Sequence, residues 1–172
     1  MIQNLQLTAT SGFEPLELSK VKTYLRQSSE DDDVFIQELI RAARVKAEQV
    51  LGRSLMVHSY NLEVNGHEGV IYLPMPPHGT VSSLTYWDGD EWQSLTETTD
   101  YTVYGLDNKY IAVSVAYQRL RIVFATTAYT NYDVNRIMME LVEVWYDNRA
   151  DAEELELKVV KKLSKYKIWQ AA

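Results

Sequence analysis

Apolar side chains recur with two different periods along this chain, and the change of period divides it into three stretches. Between 18 and 27 Leu18, Val21 and Leu25 share one stripe, which predicts a short helix. A polar, acidic break follows, Ser28-Ser29-Glu30-Asp31-Asp32-Asp33. Ile36, Leu39, Ile40, Ala43, Ala47, Val50 and Leu51 then keep helical spacing, so a second helix is expected over 34–51. Acids at its start complement the partial positive charge there, and Gly52 can supply the left-handed residue that ends it. From Leu55 to Thr127 apolar and polar residues alternate instead. Tyr60, Leu62 and Val64 read as a strand, with Asn65-Gly66 as a hairpin turn before Val70-Ile71-Tyr72-Leu73. Val81, Leu84, Tyr86 and Trp87 lead into Asp88-Gly89, and Trp92 resumes beyond it. Tyr101–Tyr104 and Tyr110–Val113 flank a turn at Asp107-Asn108, and Leu120–Phe124 is the last strand. Pro74, Pro76 and Pro77 cannot sit in a central strand and mark a rigid crossing or an edge. Helical spacing returns after Asp133 with Val134, Ile137, Leu141, Val144 and Trp145, running to about Arg149. After Asp151 a last helix is expected over 153–169, with Glu153, Glu154 and Glu156 first and Lys158, Lys161, Lys162, Lys165 and Lys167 behind.

These elements predict an α+β fold. A small helical bundle, about 18–52 and 133–150, carries an inserted antiparallel β-sheet region, about 55–127, made of consecutive hairpins. The C-terminal helix over 153–169 completes one domain spanning 1–172, with the helices at 34–51 and 133–149 packed together.

Composition narrows the function classes. A chain of 172 residues with 46% apolar and 24% charged residues is an ordinary globular sequence with enough material for one core. No apolar run approaches a membrane span, and Met1–Leu5 lacks the start of a secretion signal. The absence of cysteine excludes disulfides, thiolate metal sites and cysteine nucleophiles. A net charge of −7 argues against a surface that holds phosphate backbones tightly.

Motifs for chemistry are lacking. His58, His67 and His78 are irregularly spaced, and they read as turn or strand-surface residues, not metal ligands. Asp31-Asp32-Asp33 has none of the spacing of a calcium loop and reads as a helix start; Asp88-Gly89-Asp90-Glu91 reads as a hairpin turn. There is no nucleophile elbow and no phosphate loop, so the expectation is a protein without catalysis, cofactor or metal.

Twelve tyrosines and four tryptophans are the compositional excess. Most should pack cross-strand pairs, with a minority at an interface that is dry in a complex and wet outside it. One reading is therefore a non-catalytic binding module, with Tyr86, Trp87 and Trp92 as an aromatic platform on the β-sheet surface. In the last helix Leu155, Val159, Leu163 and Tyr166 make a narrow stripe that docks either on its own domain or on a partner.

Several strings, in order, resemble the head–tail connector (adaptor) proteins of tailed bacteriophages, the group with an inserted β region. They are Glu14-Pro15-Leu16 through Tyr24-Leu25-Arg26, then Asp32-Asp33, Ala42-Ala43-Arg44, Glu48 and Gly52-Arg53-Ser54-Leu55. Leu73-Pro74-Met75-Pro76-Pro77 follows, then Val81, Tyr86-Trp87-Asp88 and Tyr146-Asp147-Asn148-Arg149. The chain departs from the pattern at Ala128-Tyr129, where a Gly is usual, and at Asp133-Val134, where a Pro often starts the helix.

The resemblance implies a structural virion protein at the head–tail junction, assembled in the host cytoplasm. Such proteins form a ring, commonly dodecameric, that docks on the portal and extends the DNA channel. The ring receives the next connector or a tail-completion protein, and DNA passes through its lumen without sequence-specific binding; no membrane is involved. The resemblance also implies that the C-terminal segment grips the portal; no family string covers the chain from Glu153 on, and on this reading Lys161, Lys162, Lys165 and Tyr166 are expected at the contact with Trp169 as its anchor.

Overall fold

A computed structural model describes residues 2–67, 69–148 and 152–168. Helices and antiparallel sheets make the fold α+β, in two compact units. Met1–Gly12 and Met56–Tyr129 form a β unit; Phe13–Leu55 and Thr130–Ala172 form a helical unit.

Eight strands build the β unit: β1 Ile2–Ser11, β2 Val57–His67, β3 Val70–Tyr72, β4 His78–Trp87, β5 Trp92–Ser94, β6 Tyr101–Tyr104, β7 Tyr110–Val113 and β8 Tyr117–Thr126. They form a five-stranded sheet in the order β1-β2-β8-β4-β5 and a three-stranded sheet in the order β3-β7-β6. Every strand pairing is antiparallel. Alternation decides the faces. Tyr60, Leu62, Val64, Leu84, Leu120, Ile122 and Phe124 from the larger sheet meet Ile71, Tyr101, Ile111 and Val113 from the smaller one in a single buried cluster.

Two of the expected hairpins form, β4–β5 around Asp88-Gly89 and β6–β7 around Asp107-Asn108. The hairpin expected at Asn65-Gly66 does not. Both residues lie inside β2, where Asn65 pairs with Ile2 and Arg119, and β2 and β3 belong to different sheets. The apolar row of β2 continues that of β8 on the buried face, and this long-range pairing overrides the local turn signal. The sheet is therefore not a run of consecutive hairpins. Strand β1 lies outside the expected β region altogether.

The helical unit holds α1 Leu18–Leu25, α2 Asp33–Leu51, α3 Tyr132–Asp147 and α4 Glu153–Leu163, followed by a 3₁₀ turn at Ser164–Tyr166. Gly52 ends α2 as expected, with φ 65° and its N–H on the Glu48 carbonyl at 2.9 Å. Arg26, with φ 56°, ends α1 two residues early. In place of a proline, Asn131 caps α3, its side-chain oxygen accepting from the N–H groups of Asp133 at 2.9 Å and Val134 at 3.2 Å. Helices α2 and α3 pack together; α2 buries Ile36, Ile40, Ala43 and Ala47, and α3 buries Val134, Ile137, Met138, Leu141 and Val142. The α3 stripe is thus turned from the expected one: Met138 and Val142 are buried, while Val144 and Trp145 are half-buried.

Candidate interaction surfaces

The strings that carried the resemblance are largely devices of the fold. Glu48 is buried on α2 and accepts from the Leu55 N–H at 2.8 Å, which fixes the exit of the chain after Gly52. Arg44, one turn earlier, donates to Glu48 at 2.8 Å and to Glu14 at 2.9 Å, so one guanidinium ties the segment before α1 to the end of α2. Tyr146 donates to Asp32 at 2.5 Å and accepts from Gln27 at 2.7 Å, while Lys22 pairs with Asp33. The acidic run is therefore a helix start, held from two neighbouring helices. Arg149, the last residue of the α3 string, lies outside the described residues.

The C-terminal segment folds back on its own unit. Val159 and Leu163 are buried, and α4 packs on α3 and α2. Trp145 donates to Glu156 at 3.0 Å and Lys46 pairs with Glu156 at 2.7 Å. The Lys46 ammonium, then the indole N–H, hold the Glu156 carboxyl below the usual carboxylate range. Beyond α4, Tyr166 donates to Asp133 at 3.0 Å and the Ile168 N–H reaches the Leu51 carbonyl at 3.1 Å. Of the residues expected at a portal contact, Lys162 pairs with Glu140, Tyr166 is held on Asp133, and Lys161 and Lys165 are exposed. Trp169 lies outside the described residues.

In the β unit, the outer face of the larger sheet carries a ladder of charge and aromatic rings. Glu63 accepts from Arg121 at 2.7 Å, and Arg119 stands 3.7 Å from its other oxygen. The Arg121 guanidinium lies 4.1 Å from the Trp92 centroid, and Arg119 lies 5.3 Å from Trp92 and 5.7 Å from Trp87. The two tryptophans meet edge-on at 5.4 Å and Tyr86 packs on Tyr117 at 5.1 Å. The suggested platform is thus divided: Trp87 and Trp92 lie half-buried beside the arginines, while Tyr86, opposite Leu120, packs against the core on the other face.

Two histidines that read as turn or strand-surface residues are buried instead. His58 lies on β2 with Nδ1 2.9 Å from the Thr10 hydroxyl. His78 donates from Nε2 to the Pro74 carbonyl and accepts at Nδ1 from the Lys109 N–H, both at 2.9 Å, which fixes a neutral tautomer. Burial first of all pushes its pKa below the ordinary histidine value. Surface alternation does not distinguish such a residue from an exposed one. The backbone of His67 continues β2. Among the described residues no group of three or more His, Asp and Glu side chains is placed to hold a metal ion.

Three tyrosines that the sequence did not single out form a row across the smaller sheet. Tyr110 packs on Tyr72 at 5.7 Å and on Tyr104 at 5.3 Å. Their register, Tyr72 opposite Tyr110 and Tyr110 opposite Tyr104, follows from the strand pairing.

Residues 15–108 match the family of phage gp6-like head-tail connector proteins. The chain belongs to that family. The match takes in the Arg44–Glu48 device, the Pro74–Pro77 crossing and the Trp87 turn, and ends before α3. No curated protein matches the connector. Among solved structures it is similar to a chain in the virion of a native gene transfer agent particle, at 17% identity and TM-score 0.74, covering 100% of the connector and 98% of that chain. A chain in the neck of an empty gene transfer agent particle computed with C6 symmetry matches at 16% identity and TM-score 0.74, with the same coverage. One in the neck of the native particle computed with C12 symmetry matches at 15% and TM-score 0.70, covering 97% of each. At these identities the likeness is one of fold, and it extends over the whole connector, including the segment the family match does not reach.

Proposed function

We propose that the connector forms a ring at the neck of a phage or phage-like particle, docks on the portal, and extends the DNA channel toward the tail. The observation that carries this reading is the likeness of the full chain to neck chains of another particle, joined to membership of a head–tail connector family. The arrangement of the C-terminal segment supports a specific division of labour. Val159 and Leu163 of the α4 stripe are spent inside the helical unit and Leu155 stays exposed near its start, so what the end of α4 and the turn after it offer a portal is charge: Lys161 and Lys165, with Lys162 shared between Glu140 and solvent. Trp169 then anchors the contact from beyond them.

The reading has a direct test. Purified connector is mixed with DNA-filled, tailless heads bearing the cognate portal, and bound protein is measured by co-sedimentation. Saturation at one ring per head is the expected result, weakened by salt because exposed charge pairs are screened. Replacing Lys161 and Lys165 by Ala should lower the affinity. Absence of saturable binding by folded protein rejects the portal role, and unchanged affinity of the double variant rejects the lysine contact alone.

A further inference from the structure

Two surfaces of the β unit face solvent with few charges, each carrying exposed apolar or aromatic side chains. The first is β1. Among the described residues it is hydrogen-bonded on one side only, by β2, and every side chain from Asn4 to Ser11 is exposed. None of Ile2–Ser11 is charged or proline. Leu5 and Leu7, on the face that continues the buried row of β2, are 37% and 51% exposed. Sheet edges are ordinarily guarded by lysine, proline, a bulge or short length; this one is long and has neither lysine nor proline, with a single register irregularity between Leu7 and Ala9.

The second surface is the outer face of the smaller sheet. Val70 shares the face of the row Tyr72–Tyr110–Tyr104, and Leu106 follows in the turn just beyond β6. Tyr72 is 55% and Leu106 87% exposed. The rest of the unit is acidic, with eight Asp and Glu against three basic residues. Those three are already engaged: Lys109 on the Gly79 carbonyl, Arg119 and Arg121 on Glu63.

We infer that in the assembled connector β1 of one copy packs against the tyrosine face of the next. The inference rests on the ring proposed above. A contact between two unlike faces of the same chain is the kind that closes into a ring when its rotation allows. Charge selects the occupant. A charged partner set on either surface would lose hydration with nothing to pair against, whereas an uncharged strand laid on tyrosines carries no such cost. The tyrosine hydroxyls also complement what β1 lacks, since each can donate to or accept from the unpaired amides and carbonyls of its free edge. Leu5 and Leu7 then cover the rings.

The chain has no cysteine, so disulfide trapping reads this contact without background. Full-length Leu7→Cys and Tyr104→Cys proteins are oxidised separately and as a mixture, both free at high concentration and assembled on heads. A chain carrying both changes is treated in parallel. The expected result is a covalent dimer in the mixture, none with either protein alone, and a ladder of multimers from the doubly changed chain. A second pair, Leu5→Cys with Tyr72→Cys, covers a shifted register. Trapping of Leu7→Cys with itself would show β1 pairing with β1 about a two-fold axis and would overturn the inference. Unchanged chains are sedimented on heads at the same time. Rings on heads without any cross-link between the two surfaces would sink this interface alone, whereas no assembly of unchanged protein would sink the ring.

Discussion

Leu163 is the side chain on which docking of α4 should turn. It is fully buried at the end of α4, and Val159, one turn earlier, is the other residue of that helix at 7% exposure or below. The polar contacts of α4 lie nearer the surface. Lys162 is 51% exposed in its pair with Glu140, and such pairs contribute at most about 1 kcal/mol. Truncating a buried leucine to alanine removes its transfer free energy and leaves a cavity, for a total of about 3 kcal/mol. That exceeds everything the exposed ion pair supplies. Leu163→Ala should therefore release α4 locally before it unfolds the helical unit, because α2 and α3 keep their own packing through Ile40, Ala43, Leu141 and Val142. The assay is native-state hydrogen exchange. A loss of about 3 kcal/mol raises exchange at the α4 amides by roughly a hundredfold, while amides in the middle of α2 and α3 change much less. Full protection of α4 in the variant would refute the reasoning and move the docking energy to the Trp145–Glu156–Lys46 contacts. A uniform loss across α2, α3 and α4 would refute the separation of α4 from the core pair.

Three further outcomes are expected. The His78 imidazole is held neutral in the folded state, so its folded pKa lies below the unfolded value and the unfolded chain binds the proton first. Its contribution is fully present above about pH 6.5 and declines below it by up to about 1.4 kcal/mol per pH unit, until the folded state also takes up the proton. Urea titrations between about pH 7 and 5 should show this slope, flattened in His78→Gln; equal slopes would contradict it. Arg44→Leu removes the ion pair that Arg44 makes with the buried Glu48 carboxylate and should lower unfolding stability by about 3 kcal/mol. Chemical denaturation of Glu48→Gln, which keeps an acceptor for the Leu55 N–H, should show a smaller loss. Gly105→Ala places a Cβ 2.4 Å from the Asn108 carbonyl oxygen at φ 88°, so the β6–β7 turn must shift at a cost of a few kcal/mol. Thermal melts of that variant should show the loss, and an unchanged Tm would refute the turn geometry.

The sequence by itself determined the local features. The helical face of α2, the glycine stop at Gly52, the two tight hairpins and the acidic start of α2 each depend on residues a few positions apart. The resemblance named the family from strings that prove to be fold devices, some local, such as Arg44 reaching Glu48 one turn away, and some distant, such as Tyr146 reaching Asp32. The tertiary structure decided everything that needs distant partners. Asn65-Gly66 carries a good turn signal, yet β2 runs through it because Leu62 and Val64 are buried beside Leu120 and Ile122 on β8. His78 reads as a surface residue until Lys109, 31 positions on, donates to it. The stripe of α4 was equally suited to a partner or to its own unit, and the packing on α2 and α3 takes Val159 and Leu163 while leaving Leu155 exposed. Strand β1 shows the same limit from the other side. Its alternating, uncharged residues encode an extended edge, but which chain lies against that edge is a property of the assembly, since burial depends on what surface is offered from outside the segment.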